Sequence, residues 1–234
     1  MKQLFFFLLN FCLLFLYDGA KAQFNQLDHD RKQYYFGING GVNNSRFRYF
    51  PAKDFITNDT ILQMTTTSGI GAHIGLLFNY KLNKRFDTRI LPSIVFGEKN
   101  LQFRVHDFAI NKDSTAHFNI QNIYIDVPFQ FKLKSDRVAD FRFYMLGGGK
   151  YAYDLASLSK SRKADKLIRL TPNDFALELG FGFEFYFPLF ILAPEVKISQ
   201  GMMNVLSPDK NLIFSRSLDA LKSRTITFSL LIEG

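Results

Sequence analysis

The stretch FALELGFGFEFYF, residues 175–187, sets a large apolar side chain at every odd position: Phe175, Leu177, Leu179, Phe181, Phe183, Phe185 and Phe187. Its even positions hold Ala176, Glu178, Gly180, Gly182, Glu184 and Tyr186. Alternation of period two marks a β-strand, whose successive side chains point to opposite faces. In a water-soluble sheet the apolar face meets a core and the polar face meets water. In a membrane barrel the arrangement reverses: Phe and Leu meet lipid, and small and charged residues line a narrow interior.

Seven further segments share the period. The first has Tyr34, Phe36, Ile38 and Val42 in phase, and the second has Ile70, Ala72, Ile74, Leu76, Phe78 and Tyr80. The third sets Phe86, Ile90, Ile94 and Phe96 against Arg85, Asp87, Arg89 and Ser93. In the fourth, Ile123, Ile125, Val127, Phe129 and Phe131 oppose Asn122, Tyr124, Asp126, Gln130 and Lys132. The fifth sets Phe141, Phe143, Met145, Tyr151 and Tyr153 against Arg142 and Lys150. FALELGFGFEFYF is the sixth. The seventh has Phe190, Leu192, Val196 and Ile198 opposite Glu195 and Lys197, and the eighth Ile226, Phe228, Leu230 and Ile232 opposite Thr225, Thr227 and Ser229.

Short and long connections alternate along the chain. Those at 81–84, 133–139 and 188–189 are short, whereas those at 51–68, 98–117, 154–173 and 200–223 each run to about twenty residues. Such alternation is the pattern of periplasmic turns and extracellular loops. The fold expected is therefore all-β: an eight-stranded antiparallel transmembrane up-and-down barrel. Its even strand number leaves both termini in the periplasm. A soluble sandwich or lipocalin-like barrel is the alternative. That arrangement would leave an outer surface pitted by glycines around an interior packed with Phe. Aromatics also gather in two belts: Tyr34, Tyr80, Phe86, Phe131, Phe141, Phe185, Phe187 and Phe190 near the short turns, and Phe47, Tyr49, Phe50, Phe96, Tyr151, Tyr153 and Phe175 near the long loops. Phe175, Leu177, Leu179, Phe181, Phe183, Phe185, Phe228 and Leu230 are expected to face lipid.

The chain begins MKQLFFFLLNFCLLFLYDGAKAQ, with Lys2, an apolar run from Leu4 to Tyr17 and an Ala20-Lys21-Ala22 site, so cleavage is expected between Ala22 and Gln23. A retained anchor helix is the alternative, although the run of about 14 residues falls short of the roughly 20 a span needs. Residues 1–22 are thus read as a signal peptide, 23–33 as a short periplasmic segment and 34–234 as the barrel. Cys12, the sole cysteine, lies in the leader, which excludes disulfides and thiolate chemistry from the mature chain. Net charge is +8 with 28 Phe and no Trp. For an exported chain that basicity points to anionic lipid and lipopolysaccharide rather than to nucleic acid. The stretch SKSRKADKLIR, residues 159–169, is one such basic segment; an ordinary solvated loop is its plainer reading.

Eight strands leave an interior just wide enough for side chains to fill. The inward set expected is Arg85, Asp87, Arg89, Asp126, Lys132, Arg142, Lys150, Glu178, Glu184, Glu195 and Lys197, with His73 among them. Unpaired buried charge is costly, so these are expected to pair into a rigid plug. Catalysis finds little support. Glu178 and Glu184 lie six residues apart on one strand face, about 20 Å, too far to serve one bond. His29, His73, His106 and His117 lack ligand spacing, and Ser93 with His73 is a pairing any chain of this size offers by chance. No metal or cofactor is expected. Gly147-Gly148-Gly149 sits mid-strand, and Pro92, Pro128 and Pro194 mark bulges or strand edges.

The segments KQYYFGINGGVN, LPSIVFGEKNLQF, DFRFYMLGGGKYAYDLAS and IRLTPNDFALELGFGFEFYFPLFILAPEVKISQGMMNVL, taken in order, resemble the PorT family of Bacteroidetes outer-membrane proteins. The resemblance spans nearly all of the mature chain. It implies an outer-membrane component required by type IX secretion, which exports proteins bearing a C-terminal sorting domain and supports gliding in some species. Partner subunits of that machinery are implied with it, and catalytic residues are not. Two other readings stand beside it: a small adhesin or opacity-type barrel that binds ligands through its loops, and a lipid-modifying barrel enzyme.

Overall fold

A computed structural model describes residues 32–51, 61–107, 112–155, 170–206 and 218–234. Among them run β1 (Tyr34–Pro51), β2 (Ile61–Lys81), β3 (Phe86–Ile90), β4 (Ser93–Asp107), β5 (Lys112–Lys134), β6 (Phe141–Asp154), β7 (Asn173–Tyr186), β8 (Ile191–Gly201) and β9 (Leu218–Glu233). All pairings are antiparallel; β2 and β5 each pair with both β3 and β4, the other pairs join sequence neighbours, and β1 closes the ring on β9 from Gly37 opposite Glu233 to Pro51 opposite Leu218. In the zone where all pairs are present, each of the ring's strands is hydrogen-bonded on both sides, which removes its edges there.

The ring has eight positions because β3 and β4 share one. Pro92 has no N–H to give to the ladder, so the strand breaks at Leu91-Pro92. Register survives the break: Ile90 faces Phe129 and Ser93 faces Asp126 on β5, while Phe78 faces Ile90 and Gly75 faces Ser93 on β2. Single bonds bridge the gap, Leu76 N donating to Pro92 O at 2.9 Å and Leu91 N to Pro128 O at 3.3 Å. Asp87, Arg89, Leu91 and Ser93 consequently stay on the inner face, and all four are buried.

The alternation of β7 is complete. Its odd residues are exposed or half-buried, while Asp174, Ala176, Glu178, Gly182, Glu184 and Tyr186 are buried. Phe183 is shielded by neighbouring rings of the outer face, with Phe141 stacked at 5.4 Å and Phe143 tilted at 5.5 Å. Gly182 is small because Tyr144 of β6 lies across it: a Cβ there would come within 2.5 Å of the Tyr144 ring and 2.7 Å of the Pro194 carbonyl.

Two corrections concern the ends of the strands. Of the expected long loops at 51–68 and 98–117, the described residues are strand. β1 and β2 run to Pro51 and from Ile61, and β4 and β5 pair down to Asp107 opposite Lys112. These extensions carry no apolar outer row, so a search for Phe and Leu alternation stops short of them. Their polarity is inverted instead. On β5 the outer row is apolar from Ile123 to Leu133 and turns polar at Gln121, while the inner row turns from Asn122 to buried Ile120. On β1 the outer row passes from Val42 to Asn44, Arg46 and Arg48 as the inner row reaches Phe47. A one-residue bulge in β2 between Ser68 and Ala72 shifts its phase and turns Met64 inward. Phe47 therefore leaves the expected aromatic belt. It packs inside with Met64, Leu101, Ile120, Val205, Leu206, Leu218 and Leu221.

The wall thus has a lower zone, apolar outside and polar inside except for a buried cluster of Leu77, Leu91, Tyr144, Leu146, Ala193 and Leu231, and an upper zone with the opposite sense. On β5 the apolar outer row from Ile123 to Leu133 covers about ten steps of 3.3 Å, or about 33 Å of strand. At a strand tilt near 40° that is roughly 25 Å of height, the thickness of an outer-membrane apolar band.

Candidate functional site

The interior of the lower zone is built in tiers by the inner rows of all eight ring positions. At the end near the short turns, Lys132 on β5 is fully buried between Glu184 of β7 and Glu233 of β9, the latter at 3.6 Å. The hydroxyl of Tyr186 donates to Glu184 at 2.6 Å, and Arg142 approaches the same carboxylate at 4.0 Å. Beside them Lys134 pairs with Asp87 at 2.7 Å, and Asn79 donates to the same carboxylate at 3.1 Å.

The middle tier centres on Glu195 of β8. Arg89 binds it from across the barrel, Tyr144 donates its hydroxyl at 2.8 Å, and Lys197 stands at 3.1 Å. Arg89 also donates to Gln130 at 2.8 Å, and Lys132 sits 4.2 Å from the centroid of the Tyr144 ring. Gln130 and Ser199 both donate to Glu178, and Lys150 bridges Asp126 at 2.9 Å and Glu178 at 3.6 Å. Above lies a cavity of about 60 Å³ lined among others by His73, Lys99, Asp126, Lys150, Glu178 and Lys197, with room for a few waters.

Lys99 occupies the uppermost polar position, donating to the Tyr124 hydroxyl at 3.2 Å with its ammonium 4.8 Å from the centroid of Phe47. There Asn122 donates to Asp154 at 2.6 Å and Ser223 to Asp174. The apolar cluster around Phe47 and Leu101 then closes the upper end, and Tyr35, Tyr186 and Ile191 form a buried cluster at the other.

Of the expected inward set, Asp87, Arg89, Asp126, Lys132, Arg142, Lys150, Glu178, Glu184, Glu195 and Lys197 lie in this network. Arg85 does not: it sits in the β2–β3 turn, exposed, paired at 3.0 Å with Asp136 of the β5–β6 turn. It precedes the strand proper, so the alternation that placed it inward has no ladder to enforce it. Ser93 and His73 are not joined either. The Ser93 hydroxyl donates to the Leu91 carbonyl at 2.9 Å, and His73 Nε2 lies 3.2 Å from Ser229 Oγ. Phe175, Leu177, Leu179, Phe181, Phe185, Phe228 and Leu230 are exposed on the outer face, and Phe183 lies there half-buried.

Sequence reasoning missed Lys99, Lys134, Tyr144, Asp154, Asp174 and Glu233, all buried. Lys99 and Asp154 stood in segments taken for loops, Lys134 in a turn, and Asp174 just ahead of the strand read from Phe175. Tyr144 and Glu233 have the inward parity of their strands, and that parity was the signal available. The leader with Ala22 and Gln23, His29 and the basic stretch 159–169 lie outside the described residues. Among the described residues no group of three or more His, Cys, Asp or Glu is placed to hold a metal ion.

Residues 22–207 match a family model described as outer membrane protein beta-barrel domain. The chain is similar to the outer membrane protein OprG from Pseudomonas aeruginosa, at 16% identity over 86% of this chain and 94% of that one, with a TM-score of 0.42. It is similar to Ail, the attachment invasion locus protein of Yersinia pestis, solved in complex with the heparin analogue sucrose octasulfate, at 14% identity over 87% and 100% of the two chains and a TM-score of 0.38. For Neisserial surface protein A the values are 8%, 86%, 97% and 0.44. Comparison with curated proteins returns no match.

Proposed function

Because the chain belongs to the outer membrane protein β-barrel domain family, we propose that it is a sealed, non-catalytic barrel of the outer membrane that serves type IX secretion through its rims and loops. The observation that carries this reading is the filled interior. Charged tiers end against an apolar cluster at one end and an aromatic cluster at the other, which leaves side chains where a conduit would need water. A barrel filled in this way works as a scaffold, and its surfaces meet lipid and partner subunits. The assignment to type IX secretion is supported by the ordered motifs that resemble those of the PorT family. Its test is deletion of the gene with an assay for surface delivery of a cargo bearing a C-terminal sorting domain. Loss of delivery, restored by the intact gene, is expected; normal delivery contradicts it.

A second reading, ligand binding through the loops, is favoured by the polar-faced extensions of β1, β2, β4 and β5, which carry the wall past the apolar band. Under it, shortening the β4–β5 hairpin abolishes ligand binding and leaves secretion intact.

A further inference from the structure

Where the outer face turns from apolar to polar, the seam that closes the barrel carries four cations. Arg46 stands opposite Arg224 and Arg48 opposite Lys222 on the β1–β9 ladder. Directly opposite residues lie about 5 Å apart and alternate residues about 7 Å along a strand, so the four share a patch of roughly those dimensions. Like charges placed opposite one another destabilise a sheet. Inside the barrel nearly every cation faces a carboxylate. On the seam the contacts of these four, among the described residues, are those of Arg48 and Lys222 with the Phe50 ring, at 5.2 and 6.0 Å from its centroid. Arg224 Nε is buried without an acceptor.

The level of the patch identifies what would neutralise it. The outer apolar row of β9 runs Ile232, Leu230, Phe228 and Ile226, all exposed, and Arg224 is the next outward residue. On β1 the row Phe36, Ile38 and Val42 gives way to Asn44 and then Arg46. Acyl chains lying on Ile226 and Phe228 would bring their headgroups level with Arg224 and Arg46, about 7 Å farther along the strand. Guanidinium forks match phosphate oxygens in pairs.

We propose that Arg46, Arg48, Lys222 and Arg224 form a binding site for the phosphate groups of an outer-leaflet lipid headgroup. The site rests on the reading that the outer apolar band lies in lipid. Bound phosphate turns a repulsive seam into a bridged one, and the lipid thereby clamps the strand pair that closes the ring.

The test uses the full barrel in zwitterionic detergent, titrated with diphosphorylated lipid A, with the same lipid enzymatically dephosphorylated, and with inorganic phosphate, and read by native mass spectrometry. The variants are Arg46→Gln with Arg224→Gln, Arg48→Gln with Lys222→Gln, and the four together; Lys84→Gln with Arg85→Gln at the opposite rim is the control. Phosphorylated lipid is expected to bind in preference to the dephosphorylated form, and each cation removed from the patch should weaken binding about fivefold. The control should bind as the unmodified chain does. Because the substitutions remove repulsion, melting temperature in lipid-free micelles should hold or rise, and the stabilisation conferred by added lipid A should shrink. Equal binding of both lipid forms, equal loss in the control, or complete displacement by inorganic phosphate at the lipid's own concentration overturns the assignment. Failure of the lipid-band reading would show separately, as absence of quenching at Phe181→Trp by brominated acyl chains.

Discussion

Glu195→Ala tests the interior network at its centre. The Glu195 and Arg89 side chains are fully buried against each other. Removing the carboxylate strips Arg89 of its counter-charge and Tyr144 of the acceptor it holds at 2.8 Å, and leaves Lys197 without the oxygen at 3.1 Å. Breaking one partner out of a buried pair costs about 3–5 kcal/mol. Arg89 keeps its bond to Gln130, so a loss near 3 kcal/mol is expected. Removing both charges together, as Arg89→Leu with Glu195→Leu, leaves no unpaired guanidinium, although Tyr144 and Lys197 still lose the Glu195 oxygens, and replacement of a buried pair by apolar residues is often close to neutral. The double variant should therefore lose at least about 2 kcal/mol less than the sum of the singles. Asp136→Ala, which opens the exposed pair with Arg85, supplies the contrast and should cost no more than about 1 kcal/mol. Urea unfolding in phospholipid vesicles, followed by the gel mobility shift between folded and unfolded barrel, measures each of these variants and the singles Arg89→Leu and Glu195→Leu. A Glu195→Ala cost no larger than that of Asp136→Ala, or singles that simply add, would refute the reasoning.

Gly182→Ala puts a Cβ into the Tyr144 ring and should cost about 1–3 kcal/mol in the same assay, as overpacking does; Tyr144→Ala should relieve part of that cost. Phe181→Arg, at the middle of the outer band, should cost about 2–4 kcal/mol in vesicles, whereas Thr67→Arg, on the polar outer face above it, should cost about 0–1. Ala139 adopts a positive φ of 53° in the β5–β6 turn, so Ala139→Gly should hold or raise stability, by up to about 1 kcal/mol. In planar bilayers the reconstituted barrel should pass no steady current, and stepwise openings of porin size would contradict a filled interior.

Most of the wall was legible because period two is a local property. Phe181 and Glu184 declare their faces without knowledge of any other strand, and eight such segments with alternating connections specify a ring. Legibility failed where the environment changes along a strand. From Glu98 to Asp107 and from Lys112 to Phe118 both the solvent and the interior differ from those of the lower zone, so Lys99 and Leu101 interrupt the pattern while the ladder continues beneath them. Phe47 reads as a belt aromatic by its position and as a core residue by its parity, and parity decides. Arg85 failed for the opposite reason, alternation carried past the last paired residue. The partners inside the barrel were not legible at all. Arg89 meets Glu195 across 106 positions, and that meeting is set by register and closure rather than by any local signal.

The absence of tryptophan from the chain allows the arrangement of its faces to be read with one introduced fluorophore. Single substitutions Phe181→Trp and Phe129→Trp on the outer band, Ile120→Trp within the upper cluster and Thr67→Trp above the band are reconstituted into vesicles whose acyl chains carry bromine. Strong quenching at 181 and 129, with little at 120 and 67, is the result expected of a wall that is apolar outside below and apolar inside above. Quenching of the Trp at 120 with protection at 181 would mean that the sheet is turned the other way.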